Sequence, residues 1–403
     1  MTKSERGLKF ALFFFMLVLS THGQNWNLSD APSLIWQSLA GSLDGTNLVA
    51  ASLYDTSGSD PGQIYTSTNG GQNWNPTSAP INYWFSVASS ADGLRLIAAA
   101  DGDPNGNTPG PIWLSTNGGL TWQTNSAPQT YWQTVASSTN GQVLVGNAYG
   151  DGIYISTNFG SSWILASNAP TSGNWLSLTI SANGSKIYAT DGNGIYVSTN
   201  TGVTWTNSAP VSDIWSPITC SQDGSRVFAG IRSVASGAIY VSTNSGATWG
   251  LSYNQNLSWQ CLAMSANGST VFAGAYGDSL YLSTNGGASW NPQNTSANLP
   301  GSANWYCNYC SANGGSLVAG ANDGVTIYIA LPVLMHIQTV ANHAVISWPA
   351  STSANGFQLQ TIGALNPAAS WTNLTTGITV IGTTNFYTNS LTAPSAFFRL
   401  RQP

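Results

Sequence analysis

Six near-copies of one eight-residue box, Ser-Thr-Asn-x-Gly-x-x-Trp, run through this chain and limit what it can fold into. The boxes begin at Ser67, Ser115, Ser156, Ser198, Ser242 and Ser283, so their spacings are 48, 41, 42, 44 and 41 residues. A period in the low forties that holds four strand-like runs predicts a β-propeller, in which each repeat is one blade. One unit shows the pattern. "YWFSVASS" (83–90) reads as a strand, "ADG" as a turn and "LRLIAAA" (94–100) as a second strand. After a variable loop come "PIWLST" (111–116), the turn "NGG" and "LTWQT" (120–124).

Other features count seven units rather than six. A Trp opens the first strand at Trp36, Trp84, Trp132, Trp175, Trp215, Trp259 and Trp305. The seventh unit ends at "GVTIYIALPV" with no box and no fourth strand. The segment "QNWNLSDAP" (24–32) supplies a fourth strand with no unit before it, and it shares Gln-Asn-Trp-Asn and Ala-Pro with "QNWNPTSAP" (72–80). We therefore expect residues 24–27 to complete the last blade. A ring closed by its own first strand leaves no open sheet edge.

The box has turn chemistry. Its Asn can accept hydrogen bonds from backbone amides, and its Gly takes a positive φ without strain. Its Trp offers a large apolar face to the neighbouring sheet. With Trp26, the box and first-strand indoles account for 14 of the 17 Trp. Asn69, Asn117, Asn158, Asn200, Asn244 and Asn285, with Trp74, Trp122, Trp163, Trp205, Trp249 and Trp290, are thus expected to be structural.

The boxes resemble the Asp-box, or BNR repeat, Ser-x-Asp-x-Gly-x-x-Trp, with Asn at the Asp position in all six. The family includes sialidases, xyloglucanase-type glycosidases, sortilin-type receptors and photosystem II assembly-factor propellers. The regular single ring here is most similar to the sortilin and assembly-factor type. In the family the box lies on the rim away from the active face, so the resemblance implies a fold more than a function. Asn keeps the acceptor but loses the charge.

The start of the chain reads as an export signal over residues 1–23. Lys3, Arg6 and Lys9 precede an apolar run from Phe10 to Leu19, and Thr21 and Gly23 suit cleavage before Gln24. No later segment is apolar enough to span a membrane. Removing the leader takes away Glu5, the only Glu, and leaves 13 Asp against six Lys plus Arg, a formal charge of 6 − 13 = −7. Nucleic acid and anionic membranes need a basic surface, so neither is an expected partner. The expected location is secreted, extracellular or at the cell surface, with the periplasm as an alternative. Residues 24–331 are read as the propeller. Residues 333–403 carry "AVISWPA", "GFQLQT", "ASWTNL" and "AFFRLRQP", which read as strands of a small β-sandwich similar to C-terminal modules of secreted bacterial repeat proteins.

Strand direction sorts the loops. The 1–2 turns and boxes share one face; the 2–3 loops and 4–1 links share the other, here the top. Asp30, Asp55, Asp60, Asp101, Asp103, Asp151, Asp191, Asp213, Asp278 and Asp323 are assigned to the top, with Arg232 among them. Several recur beside Gly before the third strand, which is ordinary turn chemistry. Their functional reading is an acidic mouth or an Asp/Asp acid–base pair, with Asp101, Asp103 and Asp151 as the catalytic set if the protein is a glycoside hydrolase. "DGDPNGNTPG" (101–110) lacks the full calcium-loop spacing, so no metal or cofactor is expected. The ring of first-strand Trp repeats in every unit and is read as packing. Tyr54, Tyr83, Tyr131, Tyr149 and Tyr276 break the repeat and, with Asp191, Arg232 and Asp278, are the candidates for ligand contact.

Absences prune the enzyme classes. The resemblance to sialidases implies an Arg cluster and a Glu–Tyr pair, whereas the repeats hold only Arg95, Arg226 and Arg232 and no Glu. They contain no His, which removes a Ser-His-Asp triad. Of the four Cys, Cys307 and Cys310 sit three apart in a strand and should not bridge, while Cys261 and Cys307 share one repeat position and are left open as a pair. The leading expectation is a monomeric, non-catalytic binding or scaffolding propeller that recognises a glycan or an extracellular protein on its top face. The alternative is a polysaccharide-acting glycoside hydrolase using top-face Asp.

Overall fold

Every repeat folds as one four-stranded antiparallel sheet, and there are seven of them among the described residues. The computed structural model describes residues 26–55, 57, 60–101, 108–170, 173–293, 298–321 and 327–330, and further on 336–340, 343–349, 358–362, 372–381, 384–390 and 397–401. Blade 1 is Ile35–Gly41, Leu48–Tyr54, Ile64–Ser67 and Asn75–Pro76. The second strand of each blade lies between sheet neighbours and under adjacent blades, so it is buried along most of its length, as in Leu96–Asp101 and Val271–Ala275. That is why these strands read as continuous apolar runs of small residues. First strands mix buried and half-buried residues instead, because part of each looks onto the central channel.

Blade 7 is completed from the other end of the chain. Asn27–Leu28 pairs with Ile327–Ala330 in the register Asn27↔Ile329 and Leu28↔Tyr328. The closing strand is thus shifted by one residue from the expected 24–27, of which residues 24 and 25 lie outside the described residues. Trp26 takes the place of the missing box Trp, buried with Trp305, Tyr328 and Leu282 and stacked on Phe272 at 5.4 Å.

A second device closes the ring at the bottom of the channel. Backbone amides of Leu43, Ala91, Thr139, Ala182, Gln222, Ala266 and Ala312 each donate to the carbonyl of the next in that order, and Ala312 donates to Leu43 at 2.8 Å. These residues occupy the x position of seven Ser-x-Asx-Gly turns, which join first and second strands. In each turn the Ser hydroxyl donates to the Asx side-chain oxygen, as from Ser221 to Asp223 at 2.6 Å and from Ser138 to Asn140 at 2.9 Å. A backbone amide two residues past the Asx donates to the same oxygen, as Ser225 does at 2.9 Å. The Gly is left-handed throughout, for example Gly224 with φ 66, so a side chain there would be strained.

Asp stands in three of these turns and Asn in four. The Ser hydroxyl and backbone amides hold the Asp223 carboxyl down to about 2, and Asp44 and Asp92 are lowered for the same reason, each from an ordinary 3.8. Depressed values mean that the folded state binds protons less readily than the unfolded chain. The stability these carboxylates contribute is therefore full above about pH 4, and it is lost as pH falls through the folded value near 2. Asp44→Asn, Asp92→Asn and Asp223→Asn together, which copy the other four turns, should flatten the fall of the denaturation midpoint over that window. An unchanged acid limb in guanidinium titrations at stepped pH would show that these turns do not set it.

The chain divides into two compact units, Gly23–Leu331 and a C-terminal one from Pro332. The described C-terminal strands form a four-stranded sheet, in which His343–Pro349 pairs with His336–Val340 and Thr384–Ser390, and a three-stranded sheet centred on Gln358–Ile362. Among the described residues no helix is long and apolar enough to cross a membrane. The leader segment lies outside them.

Candidate functional site

The boxes are frame, and the structure shows how they work. The Ser67 hydroxyl donates to Asn69 Oδ1 at 2.9 Å and accepts the Gly71 amide at 2.9 Å. Asn69 Oδ1 also accepts the Asn73 amide at 2.9 Å. The same set recurs in all six boxes, for instance around Ser198 and Asn200. The amide nitrogen that Asn has and Asp lacks is used as well: it donates to the side chain four residues on, at Asn73, Thr121, Ser162, Thr204, Thr248 and Ser289. Five of those partners are hydroxyls, which can turn to donate instead. Asn200→Asp should therefore change stability by less than about 0.5 kcal/mol, read as the shift in thermal midpoint.

Each box is also tied to the exit of the preceding blade. Ser78 donates to the Leu120 carbonyl at 2.7 Å, Ser126 to Ser161 at 2.9 Å and Asn168 to Val203 at 2.9 Å, while Trp249 Nε1 donates to Ser208 at 3.1 Å. In the first box this role falls to Asp30, whose carboxylate accepts Asn73 Nδ2 at 2.6 Å and the Trp74 amide at 2.9 Å. Asp30 therefore belongs to the box face, not the top. The short outer strands explain the difference, because they leave the start of each link still beside the next box.

At the top, the first-strand Trp are fully buried in all seven blades and offer no face to a ligand. In six blades each meets the aromatic ring of the third-strand Tyr edge-on, as Trp175 meets Tyr196 at 5.2 Å and 69°. Those Tyr also explain the Asp set. The Tyr154 hydroxyl donates to Asp151 at 3.0 Å and the Tyr281 hydroxyl to Asp278 at 2.9 Å. Asp151 further accepts Thr130 Oγ1 at 3.0 Å, and Asp278 accepts the Ser279 amide at 2.6 Å. Asp191 is buried, accepts the Asn193 amide at 2.8 Å and bonds Tyr196. Burial first, and then Asp151, pushes the Tyr154 hydroxyl up to about 12, which makes it a poor nucleophile. Asp101 is buried at the end of Leu96–Asp101, opposite Tyr83. Asp103 lies outside the described residues.

The remaining candidates are scattered along the top rim. Tyr54 and Tyr83 pack edge-to-face at 5.8 Å and hold each other half-buried. Tyr131 is half-buried, and its carbonyl accepts the Tyr149 amide at 2.8 Å. Tyr149 and Tyr276 are the exposed pair, at 50% and 51%. None of these five Tyr, and none of the described Asp, borders the channel cavity described next.

That cavity, about 310 Å³, occupies the upper part of the channel. Its rim is set by an irregularity repeated in every blade: the register of first and second strands shifts just after the Trp. Such bulges re-aim a side chain, and here each lies at the residue after the Trp, which lines the cavity. Those residues are Gln37, Phe85, Gln133, Leu176, Ser216, Gln260 and Tyr306, and Arg232 joins them from the blade 5 loop. Of the catalytic and ligand-contact candidates taken from sequence, only Arg232 is brought there among the described residues. The overlooked signal was local: each invariant Trp in this chain is followed by a position that never settles on one residue type. No carboxylate borders the cavity among the described residues.

Three of the propeller's cations serve the opposite end. Lys186 Nζ donates to the Asp223 carbonyl at 2.8 Å, Arg226 to the Gly286 carbonyl at 2.9 Å, and Arg95 lies 4.7 Å over the Phe159 ring. The four Cys are free. Cys261 and Cys307 occupy the position where blades 1 to 3 carry Ser38, Ser86 and Thr134, and the Cys261 thiol approaches the Trp305 carbonyl at 3.7 Å, across to the next blade. Thr134 also bonds across to the next blade, at the Leu176 carbonyl one residue on, at 3.2 Å. Burial pushes the Cys261 thiol up to about 12, as expected of an inert structural cysteine. Among the described residues no group of three or more His, Cys, Asp or Glu could hold a metal ion.

A closed ring of seven antiparallel sheets, stitched by Ser-x-Asn-x-Gly-x-x-Trp turns, makes this fold a β-propeller of the Asp-box (BNR) type. No family model and no curated protein matches the sequence. Solved structures do match. YCF48 bound to a D1 peptide superimposes with a TM-score of 0.58 at 14% identity, covering 79% of this chain and 99% of that one. The GH74 xyloglucanase from Xanthomonas campestris gives 0.59 at 14%, covering 81% of this chain and only 59% of the enzyme. The β-propeller domain of Cps50 (Swd1) from Myceliophteria thermophila gives 0.58 at 13%, covering 76% and 99%. Identities this low carry the fold alone.

Proposed function

We propose that this protein is a non-catalytic binding propeller that receives its ligand, a polar glycan before any other class, at the upper mouth of the channel. One observation carries the reading: the mouth is lined by amide, hydroxyl and aromatic side chains together with Leu176 and Arg232, with no carboxylate among the described residues. Amides and hydroxyls match sugar hydroxyls, and the rings of Phe85 and Tyr306 match pyranose faces. Three of the top-rim Asp, Asp151, Asp191 and Asp278, are engaged as acceptors for Tyr, Thr and backbone donors. A protein ligand is the second reading, supported by the peptide held by YCF48. We further propose that the chain is exported and that its C-terminal sheets pack as a small sandwich.

The test is a pull-down of the mature protein with a panel of insoluble polysaccharides and bacterial envelopes, with each supernatant assayed for released sugar. Depletion without release supports the binding reading. Release that disappears in Asp101→Ala or Asp151→Ala overturns it and makes the protein a hydrolase. Depletion by envelopes stripped of polysaccharide, and by nothing else, favours the protein ligand.

A further inference from the structure

Resting on the glycan reading, the polar groups of the channel mouth say more about what kind of glycan enters. Arg232 is exposed, borders the cavity and has no carboxylate within ion-pair distance among the described residues. The other described cations of the propeller are occupied at the far end, so this guanidinium is the one left unspent. Its backbone pairs with Ser258, and Ser258 in turn holds Gln260: the Gln260 amide nitrogen donates to Ser258 Oγ at 3.0 Å. Gln260 also lines the cavity, one blade on from Arg232. Gln37 lines the cavity as well, and its amide oxygen is buried without a hydrogen-bond partner.

The mouth therefore offers a cation, the amide groups of Gln37 and Gln260, and the rings of Phe85 and Tyr306. A hexuronate residue complements this set. Its carboxylate answers Arg232, since a guanidinium pairs with a carboxylate through charge-assisted bonds that a neutral hydroxyl cannot match. Its ring hydroxyls exchange hydrogen bonds with amide side chains of the mouth such as Gln260. Its pyranose face lies on an aromatic ring. The protein is acidic overall, with a formal charge of −5 over the whole chain, so recognition of an acid group rests on the local Arg232 contact and not on the net charge. We propose that the channel mouth binds an acidic polysaccharide through a hexuronate unit whose carboxylate contacts Arg232.

The experiment is calorimetric titration of the full mature chain with oligogalacturonate, its fully methyl-esterified form, and a neutral gluco-oligosaccharide of equal length, and of Arg232→Gln and Arg95→Gln with the acid form. The expected result is binding of the acid form that weakens roughly tenfold to a hundredfold on esterification or in Arg232→Gln, and weakens with added salt. Arg95→Gln, altered at the opposite end, should bind as the parent does. Equal affinity for acid, ester and neutral chains, with Arg232→Gln unaffected, would overturn the hexuronate proposal and leave the glycan reading standing. Binding of none of the three, nor of glucuronan or alginate oligomers, overturns both. Arg232 is exposed, so its replacement should leave the melting curve in place, which separates lost recognition from lost fold.

Discussion

Trp175→Ala should lower the free energy of unfolding by about 3–5 kcal/mol. The indole is fully buried between blades 3 and 4, against Val145, Ile153, Ile155, Leu178 and Ile187, with Tyr196 edge-on at 5.2 Å. No loop can fold into the space it leaves, because its walls are strands pinned on both sides by the ring. The cavity therefore stays open and adds its own cost to the lost transfer energy. Trp175→Phe separates the two parts of the effect. The Trp175 indole nitrogen is buried with no hydrogen-bond partner, so Phe gives up volume but no bond. Trp215 and Trp305 differ, since their indole nitrogens donate to the Val211 carbonyl at 3.2 Å and the Asp278 carbonyl at 3.0 Å. Trp215→Phe should then cost about 0.5–1.5 kcal/mol more than Trp175→Phe. Chemical denaturation of the three variants measures both differences. A Trp175→Ala loss under about 1 kcal/mol would mean that the ring of indoles is not what holds adjacent blades together.

The burial of those indoles marks the division between what could and could not be read from the sequence. Positions that repeat do so because each blade meets its neighbours in the same way. Trp175 and its six equivalents, the Asn of the boxes and the closing strand around Trp26 were thus legible from spacing alone. The Asp beside the third strands were legible as turn residues, but not their bonds to Tyr154, Tyr196 and Tyr281, which depend on how far a third strand tilts toward the loop before it. The channel mouth was not legible. Strand alternation would put the residue after each Trp on the face opposite to the indole, between two blades. The register shift there lets it line the channel instead, and a bulge leaves no mark of its own in the residue types. Tyr54 and Tyr131 were chosen because they break the repeat near the top, yet a ring partner or a neighbouring link shields each of them. Gln37, Gln133 and Gln260 break it too, one step from an invariant landmark.

Ring closure gives the second large effect. Trp26→Ala should cost about 3–5 kcal/mol, and unlike Trp175→Ala it should do so at one place. Trp26 is buried to 1% exposure, stacks on Phe272 of blade 6, and its carbonyl accepts Asn298 Nδ2 at 2.7 Å. The strand that follows it is only Asn27–Leu28, two residues with both side chains exposed. Two ladder positions cannot hold a chain end against its conformational entropy without the anchored indole before them. Losing the anchor frees that strand and bares the edge of Ile327–Ala330, whose residues are all buried in the closed ring. A bared apolar strand edge pairs with another chain. The expected signature is early hydrogen exchange at residues 327–330 with blades 2 to 5 still protected, together with concentration-dependent association in light scattering. Uniform loss of protection around the ring would point to a different mechanism, in which the circle of seven backbone bonds at the channel floor, from Leu43 round to Ala312, carries closure and the terminal strand only caps an edge. The two devices sit at opposite radii of blade 7, so exchange at residues 327–330 against exchange at Ala312 decides between them.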